Sequence, residues 1–353
     1  MEDDLKTRIK AWVDSYYAET EGYTDPDYLY DVLMTCGVKI ELATKRIEEY
    51  APQAALSRYA REVLPEYQKK LEWGHALSAE LEEQLARFPP LPVLPPTAPL
   101  IKLSGVVDEV EFTKGMVCFD AEVYTTVRDE LERKRQRDNI GALVAMSAQM
   151  LAGSPPHAMI RDGELNKQKS LHVKGKVDGK SFAGWFGMTD IRPGDRVEMA
   201  AMPDDDGYLI YAIINVSRGT ISVTPNCMTG KSSYPLHLWV LFSFLFVSVP
   251  FIPFFIGFEF APTLGSYIAA SLALSAATYR QMMNQSGPMF ALYEQIAEAL
   301  EFPGGKKFRL LRHSGKISKP KKDAGDVQIR KEDDIPVPQG GVKGYSHEFF
   351  YYY

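Results

Sequence analysis

The predicted fold depends on one apolar stretch, residues 237–280, which reads HLWVLFSFLFVSVPFIPFFIGFEFAPTLGSYIAASLALSAATYR. Between Lys231 and Arg280 the only formal charge is Glu259. As a helix, residues 236–256 would be about 30 Å long, which matches the hydrocarbon core of a bilayer. A second apolar segment, 263–279, follows after a short connection. The pattern therefore predicts a two-helix transmembrane hairpin within residues 231–283.

The second apolar segment carries a small residue at every fourth position: Gly265, Ala269, Ala273 and Ala277. Such a row lets a neighbouring helix backbone approach closely in a membrane, so we expect it to be the packing face of the hairpin. In the first segment, Pro250 and Pro253 remove two backbone donors and predict a kink or a break. A re-entrant hairpin that does not cross the bilayer fully is therefore left open.

Cations flank the apolar stretch on both sides, and they predict its orientation. Residues 303–322 contain no acid but eight basic residues, which are Lys306, Lys307, Arg309, Arg312, Lys316, Lys319, Lys321 and Lys322. Because cations are retained on the cytoplasmic side, we expect a two-pass protein with both termini in the cytoplasm. The basic run is expected to rest on anionic lipid headgroups.

The remaining sequence divides into regions that differ in composition and in the spacing of apolar residues. Residues 1–88 predict a helical bundle, because apolar residues fall at helical spacing and Asp25-Pro26 is typical of a helix start. Its dense aromatic residues are expected to form the core, and a groove for a partner helix is the alternative. Residues 89–100 belong to the run FPPLPVLPPTAP, in which six of twelve residues are proline, and predict a semi-rigid linker.

Residues 101–230 predict a β-rich domain. KLSGVVDEVEF and MVCFDAEVYTTV are expected to be its first two strands, and short strands later alternate with VDGKS, IRPGD and PDDDG turns. Their spacing predicts a small antiparallel barrel or sandwich with an inserted helix at 128–152. Residues 284–353 are expected to be a basic, partly disordered cytoplasmic tail, whose final aromatic residues could form an edge strand or lie at a membrane surface. The expected fold class is thus an α+β membrane protein.

No catalytic, cofactor or metal motif is complete. TGKSS at 229–233 ends like a phosphate-binding loop, but Pro225 stands where that loop needs glycine. The six histidines lack paired metal spacing, and the three cysteines are too scattered for a zinc site or a disulfide framework. A net charge of −6 does not favour a nucleic-acid partner. We therefore expect no enzyme, no cofactor, no metal and no nucleic acid.

The order of features from residue 101 to about 300 resembles a bacterial family of type VI secretion system effectors. The resemblance is carried by GDRVEMAA (194–201), by PNC followed by a basic residue (225–231) and by the apolar hairpin. It implies a secretion context and brings no catalytic residue with it. Residues 1–100 lie outside the similar part.

These observations predict a non-enzymatic inner-membrane protein associated with type VI secretion, acting as a membrane-targeting effector. One alternative is a membrane-anchored immunity or accessory protein that binds a cognate toxin through its helical domain. The other is a housekeeping membrane scaffold that forms oligomers. The expected partners are the lipid bilayer, a cognate secretion or toxin protein on residues 1–88, and a further copy of the chain.

Overall fold

The computed structural model describes residues 2–119, 167–227, 229–231, 264–323, 338 and 349–353. These residues contain five α-helices, one short 3-10 helix and seven β-strands, so the fold is α+β. They form two compact units. Of the described residues, the first unit comprises 2–91, 112–117 and 169–172, and the others belong to the second unit.

The helical unit is built from three helices: α1 (Glu2–Glu19), α2 (Pro26–Tyr50) and α3 (Arg58–Arg87). The Asp25 side chain accepts hydrogen bonds from the backbone N–H groups of Asp27 and Tyr28 at 3.1 and 3.2 Å, so α2 begins where the sequence predicts a helix start. At the start of α3 the Ser57 hydroxyl accepts from the Ala60 N–H at 3.3 Å. Side-chain oxygens thus satisfy amides that a helix leaves unpaired.

The core of the helical unit joins all three helices. Its buried residues are Tyr16, Leu29, Cys36, Leu77 and Leu81. The partly buried residues packed against them are Trp12, Tyr17, Val32, Leu33, Trp73 and Leu85. The prediction that the dense aromatic residues form this core is met only in part: Tyr16 lies in it and Tyr17 and Trp73 pack against it, whereas Tyr28, Tyr30 and Tyr59 are exposed.

The strands of the chain form one seven-stranded sheet in the order β3-β2-β1-β4-β5-β6-β7. Their bounds are β1 (Ile101–Cys118), β2 (Lys167–Val177), β3 (Lys180–Phe186), β4 (Arg196–Asp204), β5 (Gly207–Asn215), β6 (Thr220–Val223) and β7 (Phe350–Tyr352). The predicted first two strands are thus one continuous strand as far as Cys118. Asp178 and Gly179, both at positive φ, make the tight turn between β2 and β3, as the VDGKS prediction requires.

A short parallel pairing also joins β3 to β5, where Phe182 lies opposite Tyr208 and Ala183 opposite Leu209. Gly184 permits this approach, because a Cβ at that position would collide with the carbonyl oxygen of Ile210. Strands β5 and β6 are almost fully buried. They lie in the interior of the second unit, where the larger apolar core of the chain is found.

The proline-rich segment is tied to the sheet from residue 93 onward. The Tyr211 hydroxyl donates a hydrogen bond of 2.9 Å to the Val93 carbonyl, and Leu94 is buried. The Thr97 hydroxyl and the Ala98 N–H both donate to the Met202 sulfur at 3.4 Å. These hydrogen bonds hold this part of the segment on the sheet within the second unit, and its prolines limit the backbone dihedrals there.

The end of the chain completes the sheet. Two helices, α4 (Leu264–Ala299) and α5 (Leu310–Asp323), flank the 3-10 turn Gly305–Lys307, and β7 then pairs with β6. The Val223 N–H donates to the Phe349 carbonyl at 3.1 Å, and the Tyr352 N–H donates to the Ser314 hydroxyl at 3.0 Å. The final aromatic residues are therefore an edge strand.

The predicted transmembrane hairpin is wrong. Among the described residues, none of the helices combines the length and the apolar character that crossing a bilayer requires. The second expected span, 263–279, is the first half of α4, and only about 16 helical residues, or about 24 Å, precede Arg280. Serine, threonine and tyrosine side chains further dilute its hydropathy. The first expected span, 236–256, lies outside the described residues.

Three further predictions change with it. The fold class is α+β, but its expected transmembrane hairpin is not found, because none of the described helices could cross a bilayer. The predicted small barrel is one seven-stranded sheet, in which β3 pairs with both β2 and β5. The two-pass inner-membrane localisation is wrong for the reason just given. Residues 284–323, placed in a basic tail by the sequence, form the end of α4, the 3-10 turn and α5. The helix predicted at 128–152 lies outside the described residues.

The terminal strand generates a stability prediction. Phe350 is 0% exposed in β7, so replacing it with alanine removes buried apolar area and leaves a cavity. We expect Phe350→Ala to lower the free energy of unfolding in urea by about 3–5 kcal/mol. Phe112→Ala, at a strand position 47% exposed, is the matched control and should cost far less. Equal losses in the two variants would show that β7 does not stabilise the sheet.

Candidate functional site

A groove of about 780 Å³ opens on the helical unit, with walls from α1, α2 and α3. Most of the side chains that line it are apolar or aromatic: Trp12, Val32, Cys36, Leu42, Ala43, Tyr67, Trp73 and Leu77. Asp31, Thr35, Lys39, Lys70 and the backbone of Gly74 complete the lining. A volume of this size, apolar inside and polar at its edge, is typical of ligand and peptide sites.

Small residues create the space in the groove. Gly74 is buried on α3, and a Cβ built there would lie 2.7 Å from Cγ1 of Ile40 on α2. Only glycine therefore lets the two helices meet as they do at this point. Ala43, one turn further along α2, is also small and buried. The space beside these two residues is bordered by the indoles of Trp12 and Trp73.

The aromatic wall of the groove is held by ring contacts. Trp12 stacks on Tyr16 with ring centroids 6.0 Å apart, and Tyr16 stacks on Tyr28 at 5.5 Å. The Tyr16 hydroxyl accepts a hydrogen bond of 2.6 Å from the Asp25 N–H, which links the wall to the start of α2. Burial raises the pKa of Tyr16 to about 12, so its hydroxyl is neutral at physiological pH. The wall is thus preorganised.

The rim of the groove is predominantly cationic. Lys39 and Lys70 line it and are exposed, and the Arg8 guanidinium lies 4.9 Å from the ring centroid of Trp73. The Lys70 ammonium lies 5.1 Å from the ring centroid of Tyr67. Asp31 is the one acid among the lining residues. Two lysines against one carboxylate in the lining, with Arg8 beside Trp73 as a further cation, favour an acidic partner at this rim.

Cys36 is a packing residue of the groove. It is 7% exposed, and burial raises the pKa of its thiol, with the nearby Lys39 charge acting in the opposite direction. A thiol with a raised pKa is a poor nucleophile at neutral pH, because the thiolate is the reactive form. The arrangement is suited to binding.

A second apolar feature lies on the outer face of α2. Tyr30, Met34, Val38 and Leu42 are four residues apart, and their exposed fractions are 53%, 56%, 66% and 54%. We call this row the outer stripe. Side chains at i and i+4 are neighbours on a helix, so the stripe is continuous. Leu42 belongs both to the stripe and to the edge of the groove.

A buried polar cluster lies in the sheet, away from any groove. The Asp190 carboxylate accepts hydrogen bonds from the Thr220 hydroxyl at 2.9 and 3.0 Å and from the Asn215 amide at 3.4 Å. The same amide donates to Asp195 at 2.9 Å, and the Arg218 guanidinium lies 3.6 Å from Asp195. All of these partners are strand ends and turns of one sheet. The cluster joins those turns.

The structure also locates the residues for which the sequence predicted membrane roles. Gly265, Ala269, Ala273 and Ala277 share α4, where Ala273 and Ala277 are exposed. Pro250 and Pro253 lie outside the described residues. Lys306 and Lys307 lie in the 3-10 turn and Arg309 just after it, while α5 contains Arg312, Lys316, Lys319, Lys321 and Lys322. Lys306 pairs with Glu298 at 3.4 Å. Because the membrane location is wrong, we do not propose those roles again.

Sequence reasoning named a groove only as the alternative for the dense aromatic residues, of which Tyr67 and Trp73 do line it. Lys39, Lys70 and Gly74 were not singled out. One signal could have found the place: Gly74 interrupts a long helical pattern next to Trp73, and a glycine inside a helix usually has a packing or functional reason. The cationic rim has no sequence signal, because its members come from three separate helices.

Comparisons with known proteins do not identify the chain. Neither a family model nor a curated protein nor a solved structure matches it. The resemblance to type VI secretion effectors therefore stays a prediction. The groove, its charges and the outer stripe are the observations from which a function can be inferred.

The contact between Gly74 and Ile40 predicts opposite results for two glycines. Replacing glycine with alanine in an exposed helix position raises stability by about 0.5–1 kcal/mol. We expect that gain for Gly37→Ala, because a Cβ there meets nothing within 4 Å. For Gly74→Ala we expect no gain or a loss, because Ile40 must move. Urea denaturation measures both changes, and equal gains would contradict the close approach of α2 and α3.

The buried cluster predicts a pH dependence of stability. Burial raises the pKa of the Asp190 carboxyl above its ordinary value of 3.8, so the folded state binds that proton more tightly than the unfolded state. The corresponding stability is complete below pH 3.8 and is lost as pH rises through the raised pKa. Asp190→Asn removes this loss. We therefore expect its free energy of unfolding, relative to the wild type, to increase from about pH 4 to pH 7.

Urea denaturation at a series of pH values measures this difference. Asp205→Asn, at an exposed turn position, is the control, and its difference from the wild type should stay nearly constant over the same range. A difference for Asp190→Asn that is constant, or that falls with pH, would show that Asp190 is ionised in the folded state without cost.

Proposed function

We propose that the chain is a non-enzymatic binding protein whose helical unit holds an amphipathic helix of a partner protein in its groove. The single observation that supports this most is the groove itself, about 780 Å³ with apolar and aromatic walls from three helices. Its rim adds exposed cations, while its lining offers no reactive pair. Recognition of a helix in an apolar groove is a recurring mode of peptide binding.

The dimensions of the groove fit a short helix. Its lining runs along α2 from Asp31 to Ala43, a helical distance of about 18 Å. A partner helix of about 12 residues covers that length and places side chains at i, i+3, i+4 and i+7 against one groove. Three turns of apolar contact are sufficient for a weak and specific complex.

The charges at the rim determine which residues are favoured beside the apolar face of the bound helix. Lys39 and Lys70 line the opening and Arg8 lies over the Trp73 ring, while Asp31 is the one acid of the lining. Glutamate or aspartate beside the apolar face of the partner would meet these cations, whereas lysine or arginine would be repelled. The proposed ligand is therefore an amphipathic helix with an acidic flank.

We expect the indoles of Trp12 and Trp73 to contribute much of the binding free energy of such a complex. Tryptophans in well-packed pockets are frequent hot spots, and both Trp12 and Trp73 are half-buried with one face available to the groove lining. The wall is already ordered by its stacking contacts, so little side-chain entropy is lost on binding. We expect dissociation constants of about 1–100 µM for a short peptide.

The biological setting of the proposal comes from the resemblance alone. If the chain acts beside a type VI secretion system, the acidic helix belongs to a cognate toxin or to another secretion protein. This retains the accessory or immunity role expected from the sequence and omits its membrane anchor. An effector that binds a target helix would use the same groove, so identifying the partner separates these roles.

The test uses two fluorescent peptides of 18 residues with leucines at i, i+3, i+4 and i+7. One carries glutamates beside the leucines, and the other carries lysines at the same positions. We expect the full chain to bind the acidic peptide in the micromolar range by fluorescence anisotropy, and the basic peptide at least about tenfold more weakly. Equal affinity for both peptides would contradict a charge-selective groove.

Two variants place the binding in the groove. Thr35→Trp puts a large ring at an exposed position of the lining and should reduce acidic-peptide affinity at least about tenfold, whereas Glu48→Trp, at an exposed position that does not line the groove, should not. Reversing the rim with Lys39→Glu and Lys70→Glu should favour the basic peptide. Unchanged affinities in these variants would exclude this site.

A further inference from the structure

We propose that the outer stripe of α2 is a self-association surface, on which α2 of a second copy packs antiparallel to form a two-fold symmetric dimer. The partner differs from that of the groove, and Leu42 is the one residue that the two surfaces share, so this inference does not rest on the proposed function. The occupant is a second copy of the same chain, for reasons of pattern and charge that are specific to this helix.

The exposure of the stripe is unusual for a single helix face. Single exposed apolar residues are common on protein surfaces, whereas contiguous rows of large ones mark interaction sites. The opposite face of α2 already carries the buried residues Leu29, Cys36 and Ala43. The helix therefore has one apolar face inside its own unit and a second one at the surface. A four-residue row is also the ridge that packs when two helices cross.

The stripe is evenly spaced and apolar throughout, so it can pair with a reversed copy of itself. Tyr30 and Leu42 are equally far from position 36, and so are Met34 and Val38. In an antiparallel pair with its two-fold axis at the level of Cys36, each large residue of one copy meets an apolar residue of the other. An isologous interface requires this reciprocity, in which residue i contacts j and j contacts i.

Two charged residues of α2 are placed symmetrically about the same point. Asp27 and Lys45 are also equally far from position 36, and they are 18 residues apart, which is five full turns of helix. They therefore lie on the same side of α2 as the centre of the stripe, one near each end. An antiparallel partner brings the carboxylate of Asp27 close to the ammonium of its Lys45, twice per dimer. A parallel partner would place like charges together, so the charges select the antiparallel arrangement.

The size of the stripe sets the expected strength. The stripe offers four apolar side chains per copy, each 53–66% exposed, which is far fewer than the roughly 20–30 residues that a partner contributes to a standard interface. Stable dimers bury about 1,200–2,000 Å² in total. We therefore expect a reversible dimer that is monomeric at low micromolar concentration and associated at about 100 µM.

Sedimentation velocity of the full chain from 1 to 200 µM tests the proposal. The weight-average mass should rise towards twice that of the monomer, and Val38→Lys should remove this rise. Leu56→Lys changes a residue that is 92% exposed but outside the stripe, and it should associate like the wild type. A wild type that stays monomeric at 200 µM, or a Val38→Lys protein that still associates, would overturn the proposal.

Charge-reversal variants distinguish the loss of the interfacial ion pair from a general loss of stability. Asp27→Lys and Lys45→Asp should each weaken association about tenfold or more, and the double variant should restore it, because the pair is then reversed across the interface. A double variant no better than its parents would contradict the pairing. Binding of the acidic peptide by Thr35→Trp and Val38→Lys proteins keeps the two proposals apart, since only the first change should abolish it.

The register has its own test. Oxidation of a mixture of Met34→Cys and Val38→Cys proteins should give more heterodimer than either protein gives homodimer, because positions 34 and 38 face each other across the two-fold axis. The native cysteines are buried and serve as the background in a wild-type control. Equal cross-linking in all mixtures would exclude this antiparallel register.

Discussion

The close contact between Gly74 on α3 and Ile40 on α2 is the constraint on which the helical unit depends. A Cβ at Gly74 would stand 2.7 Å from the isoleucine side chain, so the helices can meet there only because glycine has none. That approach fixes how Trp73 and Leu77 face α2, and with Trp12 of α1 they enclose the groove. The rim cations and the outer stripe follow from the same placement, because both are carried by helices whose inner faces are already fixed.

Local chemistry made part of this fold predictable. Asp25-Pro26 marks the start of α2 because the carboxylate caps free amides, and Asp-Gly at 178–179 makes a tight turn because both residues adopt positive φ. The sequence predicts two separate strands, KLSGVVDEVEF and MVCFDAEVYTTV, yet the chain continues as one strand to Cys118. Its pairing partners are distant in sequence, so local signals could not show this. The groove could not be predicted for the same reason, because the residues that line it are distant in sequence.

The transmembrane prediction failed on length and composition. An apolar run was read as a span because it lacks charge, but the helix that contains residues 264–279 extends far beyond them to Ala299. Its later part contributes Leu292, Tyr293 and Ile296 to a buried core, and the Tyr293 hydroxyl donates to the Phe308 carbonyl at 2.7 Å. The terminal aromatic residues likewise pack as a strand. Residues 264–279 thus belong to a longer helix whose later part is packed in protein, and a single sequence does not reveal those contacts.

The central claim is that the groove between Trp12 and Trp73 receives an acidic amphipathic helix. The most direct measurement follows the indole N–H resonances of a ¹⁵N-labelled chain as the glutamate-flanked peptide is added. The account predicts that the Trp12 and Trp73 signals shift with the same saturation curve, while Trp185, buried in β3, does not move. Saturable binding that leaves Trp12 and Trp73 unshifted would contradict it.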